Sequence, residues 1–218
     1  MKKSVLAIDG PAGAGKSTIA KLVAEKLGYV YIDTGAMYRA VAWKVLQTGQ
    51  PVTDENIVGV AQDIDVRLKY RDGTLRVEAD GVDVTDRIRT PEVTGIVSRV
   101  AQLRPVREKM VTLQRKMAEN GAVVMDGRDI ASNVLPNADV KVFLTASIEE
   151  RAVRRWREMK DKGYDVSLEK LKEEIAARDK MDTEREVSPL VRVPEAVLLD
   201  TTGRTIDEVV ASVLALCG

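Results

Sequence analysis

The sequence predicts an α/β protein built on an open parallel sheet with helices on its faces. Three observations favour this fold. Apolar runs of strand length alternate with amphipathic helical stretches along most of the 218 residues. A glycine-rich loop, residues 10–17, joins the first predicted strand to the first predicted helix. In residues 66–84 apolar and polar residues alternate instead, with Asp-Gly pairs between the runs, which indicates antiparallel strands.

Composition argues against several classes of function. Lysine plus arginine and aspartate plus glutamate both number 34, so no net charge favours a nucleic acid polymer or a membrane surface. The chain has no histidine and one cysteine, Cys217, which excludes histidine bases and a disulfide framework. No apolar run approaches the ~20 residues of a membrane span, and residues 1–3 lead into a strand rather than a signal-peptide core. We expect a cytoplasmic protein, with a monomer as the default because nothing marks an interface.

The glycine-rich loop matches the phosphate-binding pattern G-x-x-x-x-G-K-[ST]. An apolar strand precedes it and a helix over residues 16–27 follows it, the context that the motif needs. Lys16 would reach the β- and γ-phosphates of a nucleotide, and the Ser17 hydroxyl would ligate Mg²⁺. The alternative is a structural glycine turn with an incidental lysine. The predicted ATP-binding residues are Gly10, Pro11, Ala12, Gly13, Ala14, Gly15, Lys16, Ser17 and Thr18.

The remaining elements follow in order. Further parallel strands are predicted at residues 29–33, 122–125, 140–144 and 196–200, which makes five with the first. Helices are predicted from Tyr38 to near Gly49, through 93–100, from Pro105 to Gly121, after the Ser147 capping box, over about 168–185, and after the Thr205 capping box. Antiparallel strands are predicted at 66–70, 75–79 and 82–84, with turns at Asp72-Gly73 and Asp80-Gly81.

The chain is predicted to be a single domain with two smaller parts. The core comprises about 1–60, 90–147 and 190–218, and a three-stranded insert lobe comprises about 61–90. A helical lid comprises about 148–175, and its arginines would close over the transferred phosphoryl group; the alternative is a solvated basic helix. These lid arginines are Arg151, Arg154, Arg155 and Arg157. Trp156 is interpreted as a packing anchor.

Two polar stretches follow predicted strands, where parallel sheets bind ligands. In residues 33–39, Arg39 could hold a phosphate; the alternative is a surface arginine at a helix start. In residues 126–129, Asp126 would hold Mg²⁺ through water, Arg128 would contact phosphate, and Asp129 offers two acceptors. The alternative for this second stretch is a polar turn.

A stripe along the predicted helix 168–185 is apolar at first and charged later. Its members recur at helical spacing on one face and are Leu171, Ile175, Arg178, Asp182 and Arg185. A face that anchors in a core and then becomes charged should meet a polar ligand. The alternative is a salt-bridge ladder on a solvated helix.

Together, the motifs at residues 8–18, 33–39, 126–129 and 178–185 resemble those of the bacterial cytidylate kinases. The resemblance covers essentially the whole chain, including the inserted lobe. It implies a P-loop NTPase fold and the reaction of ATP with CMP or dCMP to give ADP and CDP or dCDP, with Mg²⁺.

The resemblance also implies roles for individual residues. Ser98, Arg107 and Asp129 match positions that read cytosine, while Arg178 and Asp182 match contacts around the sugar and phosphate. Arg39, Arg128 and Arg185 match the clamp on the acceptor phosphate, and Thr34 stands where relatives often carry serine. The implied CMP-binding residues are Thr34, Tyr38, Arg39, Ser98, Arg107, Arg128, Asp129, Arg178, Asp182 and Arg185, and the catalytic ones are Lys16, Arg128, Arg154 and Arg185.

Two other functions compete with this interpretation. A P-loop kinase for another small molecule, such as shikimate, would leave the insert and the cytosine-reading set unexplained. A GTP-dependent switch protein would need a guanine-reading Asn-Lys-x-Asp sequence, which the chain does not contain.

Overall fold

The computed structural model describes residues 4–71, 74–161 and 163–218. It divides the chain into two compact units. Unit 1 comprises Met1–Tyr31 and Asn120–Gly218, and unit 2 comprises Ile32–Glu119.

The described residues form eight strands and eight α-helices. The strands are β1 Val5–Asp9, β2 Val30–Asp33, β3 Val66–Arg71, β4 Thr74–Ala79, β5 Val82–Asp83, β6 Val123–Gly127, β7 Val140–Thr145 and β8 Val197–Asp200. The helices are α1 Lys16–Leu27, α2 Thr34–Gln47, α3 Asp54–Asp63, α4 Pro91–Gln102, α5 Arg104–Ala118, α6 Ile148–Asp161, α7 Leu168–Glu184 and α8 Ile206–Ala215. A 3₁₀ turn, Arg87–Arg89, precedes α4, and a π-helical turn, Ile130–Val134, follows β6.

The larger sheet is five-stranded and parallel, in the order β2-β6-β1-β7-β8. This confirms the predicted fold class. The central strand β1 is apolar throughout its interior, and its Leu6, Ala7 and Ile8 are fully buried, as expected for a parallel strand covered on both faces. Since β1 pairs with β6 on one side and β7 on the other, the loop that follows β1 lies where the strand order reverses. Ligands bind at this position in open α/β sheets.

The smaller sheet, in the order β3-β4-β5, lies in unit 2 and is antiparallel as predicted. One face carries ion pairs, such as Lys69 with Glu78 at 2.6 Å. The opposite face contributes Val66, Val77 and Ala79 to the apolar core of unit 2, together with buried residues of α2 to α5. The alternation predicted a lobe with one solvated face that is not part of the core, whereas its apolar face belongs to the core of unit 2. The strands are short, and they bury their apolar face against α2.

Local details differ from the sequence-based expectations at two places. Helix α2 begins at Thr34 rather than near Tyr38, because the Asp33 carboxylate caps it by accepting from the Ala36 N–H at 2.8 Å. Helix α3 was not predicted, although Thr53 caps it and its acidic first turn is visible in the sequence. The turn predicted at Asp72-Gly73, like residues 1–3, lies outside the described residues, whereas Asp80-Gly81 does join β4 to β5.

Candidate active site

The phosphate loop connects β1 to α1 in a conformation that its glycines permit. Gly10, Gly13 and Gly15 have φ values of 148°, 78° and 89°. A Cβ at Gly10 would lie 1.9 Å from the carbonyl oxygen of Leu144, so the loop backbone passes directly against β7. The loop leads into the N-terminus of α1. Backbone N–H groups at a helix N-terminus have no helical partners and attract anions.

Lys16 is buried at the start of α1, and its Nζ donates to the carbonyl oxygen of Pro11 at 2.7 Å. Burial and the nearby Arg128 lower the pKa of Lys16 to about 7, while Asp126 opposes the shift. A phosphate would reverse this balance, since an anion favours the charged ammonium. A bound phosphate would therefore raise the pKa of Lys16 and favour its charged form.

Ser17 and Asp126 lie together, as predicted. The Ser17 hydroxyl donates to Asp126 Oδ2 at 3.0 Å, and the Tyr31 hydroxyl donates to Asp126 Oδ1 at 2.9 Å. A hydroxyl and a carboxylate are hard oxygen donors, which suit Mg²⁺ when phosphates and waters supply the other ligands. These two side chains fit that use, and no group of three metal-binding side chains occurs in the described parts of the chain. Tyr31 was not predicted, since nothing in the sequence connects it to Asp126.

Asp9, like Tyr31, was not predicted to have a role in the site. Its buried carboxylate accepts from the backbone N–H groups of Ile130 and Ala131, both at 2.8 Å. Burial raises the pKa of Asp9 to about 6, even though these two hydrogen bonds lower it. Asp9 thereby fixes the chain immediately after Asp129. Its role could have been predicted from the sequence, because an acidic residue at the end of a buried strand, directly before the phosphate loop, is unusual for a packing position.

Charged side chains that directly follow β6 and that lie at the end of α7 form a compact cluster in unit 1. Arg128 Nε donates to Asp182 Oδ2 at 2.8 Å. Arg185 Nη2 lies 3.5 Å from Asp129 Oδ1, and both of these side chains are almost completely buried. The structure thus brings together the four charged groups that the sequence predicted from two distant segments.

Arg178 belongs to the same cluster. Burial and the neighbouring Arg128 lower its pKa to about 10, and its Nε has no hydrogen-bond partner within the described residues. Burial alone would raise the pKa of Asp182, but Arg128 and Arg178 together lower it below its usual value. The three arginines of this cluster, Arg128, Arg178 and Arg185, outnumber its two aspartates, Asp129 and Asp182. This excess of positive charge favours an anionic ligand.

The predicted stripe on α7 faces inward. Leu171 and Ile175 are buried in a small apolar cluster with Ala152 of α6, and Trp156 packs against them. Trp156 is therefore the packing anchor that was predicted. The charged end of the stripe joins the cluster on β6, so the alternative of a solvated salt-bridge ladder is wrong.

Two of the predicted lid arginines on α6 are bound to acceptors within unit 1. The Arg151 side chain is 4% exposed and bound by Asp179, and it donates to the backbone of the phosphate loop. Arg154 donates to Glu150 and to both the hydroxyl and the carbonyl oxygen of Thr201. These acceptors could not be seen in the sequence.

The other predicted CMP-binding residues lie in unit 2, and neutral groups hold several of them. Arg39 Nη1 donates to the Thr94 hydroxyl at 2.8 Å. Arg107 Nη1 donates to the Ala101 carbonyl at 3.0 Å, and its guanidinium lies over the Tyr38 ring at 5.5 Å from the centroid. The buried members of this set are Thr34, Tyr38, Ser98 and Arg107. In the same unit, Arg89, which was not predicted, donates to the Asp33 cap of α2 at 3.0 Å.

Among the described residues, no helix is long and apolar enough to cross a membrane. Two solved structures share the fold. An uncharacterised protein from Eubacterium ventriosum has a TM-score of 0.54 at 13% identity, covering 98% of this chain and 97% of that one. A gluconokinase from Sinorhizobium meliloti has a TM-score of 0.50 at 17% identity, covering 99% of this chain and 92% of that one.

Sequence comparison is more specific. Proteins named cytidylate kinase from Bacillus cereus ATCC 10987 and Bacillus thuringiensis Al Hakam are each 52% identical over 216 residues, 99% of this chain and 96% of theirs. The family profile described as cytidylate kinase matches residues 6–218. The resemblance seen in the four motifs is thereby confirmed, and the chain belongs to the cytidylate kinase family.

Proposed function

We propose that this protein transfers the γ-phosphoryl group of ATP to CMP or dCMP, giving ADP and CDP or dCDP in pyrimidine nucleotide metabolism. The observation that carries this proposal is the Ser17–Asp126 hydrogen bond of 3.0 Å, with Arg128 and Asp129 two and three residues further on. This contact supports the proposal because it joins the phosphate loop to the segment in which we propose that Arg128 and Asp129 bind the acceptor. Family membership and the names of the 52% identical relatives supply the substrate class.

On the donor side, the loop backbone and the start of α1 would bind the phosphates of ATP, and Lys16 would balance the charge of the β- and γ-phosphates. Ser17 and Asp126, the latter through water, would hold Mg²⁺, which bridges phosphate oxygens and neutralises their developing charge. Arg154 would add a further positive charge next to the transferred group. This requires Arg154 to leave Thr201, which it contacts through two nitrogens.

On the acceptor side, Arg39, Arg128 and Arg185 would hold the phosphate of CMP, and Arg178 and Asp182 would orient the phosphate and sugar. Phosphoryl transfer needs alignment and charge neutralisation more than a strong base. The acceptor is itself an anion, so no side chain has to deprotonate it. The absence of histidine from the chain agrees with such a mechanism.

Base recognition would fall to Asp129, Ser98 and Arg107. Cytosine presents an exocyclic amino donor beside acceptors, so a carboxylate can accept from the amino group while serine and arginine donate to the acceptors. Uracil presents a carbonyl oxygen at the place of the amino group, and this would face the Asp129 carboxylate. The near-complete burial of Asp129 supports a selective role, because a buried acceptor facing another acceptor is costly.

The segments at about 61–90 and 148–175 would act as the nucleotide-binding insert and the lid, and both would help to exclude water during transfer. We further propose a cytoplasmic protein that acts as a monomer.

The test is ADP production from ATP and Mg²⁺ with a panel of acceptors: CMP, dCMP, UMP, AMP, GMP and shikimate. We expect strong turnover with CMP and dCMP and weak turnover with UMP. Turnover with another acceptor alone would support the proposal of a P-loop kinase but would overturn the assignment of Asp129, Ser98 and Arg107 to cytosine recognition. If no acceptor stimulates ADP production by the folded protein, the kinase proposal itself is wrong.

A further inference from the structure

Arg151 makes four hydrogen bonds from one buried guanidinium. Its Nε donates to the Ala146 carbonyl oxygen at 2.9 Å, and its Nη1 donates to the Ala12 carbonyl oxygen at 3.0 Å. Its Nη1 and Nη2 also donate to the two carboxylate oxygens of Asp179 at 3.0 and 2.6 Å. A planar guanidinium can make this paired contact with a carboxylate and still bind carbonyl oxygens, which an ammonium cannot.

Two of the three partner residues of Arg151 lie in segments to which the proposed function gives a role. Ala12 belongs to the phosphate loop, and the loop backbone rests directly on α6, since a Cβ at Gly13 would lie 3.2 Å from the Arg151 Cβ. Asp179 stands beside Arg178 and one helical turn before Asp182. One side chain thus connects the backbone that would hold ATP to the helical turn that would orient the acceptor.

We propose that Arg151 and Asp179 are positioning residues for phosphoryl transfer, which fix the phosphate loop relative to the charged turn of α7. Neither side chain has to contact a substrate. This inference rests on the proposed function, because it takes the loop as the donor site and Arg178 and Asp182 as acceptor contacts. Since transfer requires near-linear alignment, a displacement of about 1 Å between the two sides can cost roughly a hundredfold in rate.

Two other roles make different predictions. If the pair only holds α6 to α7, its loss should lower stability and leave turnover nearly unchanged. If Arg151 binds a substrate phosphate directly, its loss should raise the KM for that substrate. A positioning role instead lowers kcat and leaves both KM values almost unchanged, because binding groups remain but alignment is lost.

The experiment compares Asp179→Asn with Glu169→Gln, which removes the exposed ion pair to Lys172 on the same helix. We expect Asp179→Asn to lower kcat about 10- to 100-fold with both KM values changed less than about threefold. Asp179→Glu, which keeps the charge, should recover most of the loss. Glu169→Gln should stay within about twofold of the natural protein, since exposed pairs contribute little.

A second measurement avoids substrates altogether. Amide hydrogen exchange at residues 12–15 should be at least about tenfold faster in Asp179→Asn than in Glu169→Gln, because the Ala12 carbonyl loses a fixed partner. If Asp179→Asn does not fold, Arg151→Lys replaces it, with the same expected loss of kcat and faster loop exchange. A folded variant with normal kcat and normal loop exchange would overturn the inference, as would a rise in KM alone.

These outcomes separate the inference from the proposed function. If the unaltered protein makes no ADP with CMP, the proposed function fails, and loop exchange still reports whether the pair fixes the loop. If the unaltered protein is active and Asp179→Asn behaves like Glu169→Gln, the positioning role alone is wrong.

Discussion

The candidate site residues of the two units are held in place by different interactions. In unit 1, charged groups hold one another: Arg128 pairs with Asp182, and desolvation and the neighbouring Arg128 lower the pKa of Arg178 to about 10. In unit 2, two arginines of the candidate site donate to neutral oxygens: Arg39 donates to a hydroxyl, and Arg107 donates to a backbone carbonyl. The arrangement in unit 1 concentrates positive charge. The arrangement in unit 2 fixes the orientation of the Arg39 and Arg107 side chains.

This difference indicates how the work is divided. A preorganised cluster of buried charges stabilises charge that develops during reaction, and it does so without reorganising. Side chains fixed by neutral partners recognise the shape and hydrogen-bonding pattern of a ligand. Substitutions in unit 1 should therefore mainly lower turnover, and substitutions in unit 2 should mainly weaken acceptor binding.

The largest effect should come from Lys16→Ala, in unit 1. We expect turnover to fall at least about a hundredfold, because the variant loses the charge that balances the donor phosphates. Steady-state kinetics with ATP and CMP measures it. Lys21→Ala, on the exposed side of the same helix, is the control and should keep normal activity. Near-normal turnover of Lys16→Ala would remove the distinction between the two units.

Asp129 sharpens the comparison, because it lies in the charged cluster of unit 1 yet is proposed to read the base. In Asp129→Asn, the amide can donate to the carbonyl oxygen of uracil, so the preference for CMP over UMP should fall by about 1–3 kcal/mol, roughly 5- to 150-fold. The ratio of kcat/KM values for CMP and UMP measures this. An unchanged ratio with a lower kcat would mean that Asp129 serves only to hold Arg185, which lies 3.5 Å away.

The fold was largely predictable because its signals are local. Each parallel strand is a short apolar run, and the capping box of α8 is visible as Thr205-x-x-Glu208 in the sequence. The start of α2 was missed because Asp33 reads equally well as the end of a strand or as a cap. Helix α3 was missed although its cap and acidic first turn were present.

Only those parts of the candidate site that lie within short sequence motifs could be predicted. The phosphate loop and the 126–129 stretch carry their chemistry in consecutive residues, so Ser17 and Asp126 could be paired in advance. Tyr31, Asp179 and Thr201 act through contacts 28 to 187 positions away along the chain, which no local pattern encodes. For Arg151 the residue type suggested a mobile cation, and only its four acceptors show that it is fixed.

A third prediction concerns the pH dependence that the protonation of Lys16, in unit 1, should give to the activity. Since the pKa of substrate-free Lys16 is about 7, the lysine loses its proton as the pH rises above 7. The kcat/KM for ATP reports the free enzyme, so it should fall above pH 7, by up to about tenfold per pH unit. The kcat should fall less, because bound phosphates raise the pKa of the lysine.

Substrate titration cannot imitate this fall, because phosphate groups with a pKa near 6 are already ionised in that range. In Lys16→Arg the guanidinium stays charged, so the decline should disappear whatever the activity of the variant. A flat kcat/KM between pH 7 and 9 in the unaltered protein would mean that Lys16 keeps its proton without a nucleotide.

The smallest effect should come from Ser98→Ala, in unit 2. The Ser98 hydroxyl is buried on α4, and the proposal makes it one of three groups that donate to or accept from cytosine. Loss of a single neutral hydrogen bond, about 0.5–1.5 kcal/mol, should raise the KM for CMP roughly 2- to 12-fold and leave kcat within about twofold. Thr112→Ala on α5, whose exposed hydroxyl donates to the Glu108 carbonyl, is the matched control and should change neither. A fall in kcat with constant KM would show that unit 2 also contributes to transition-state stabilisation, and the division of work between the units would no longer hold.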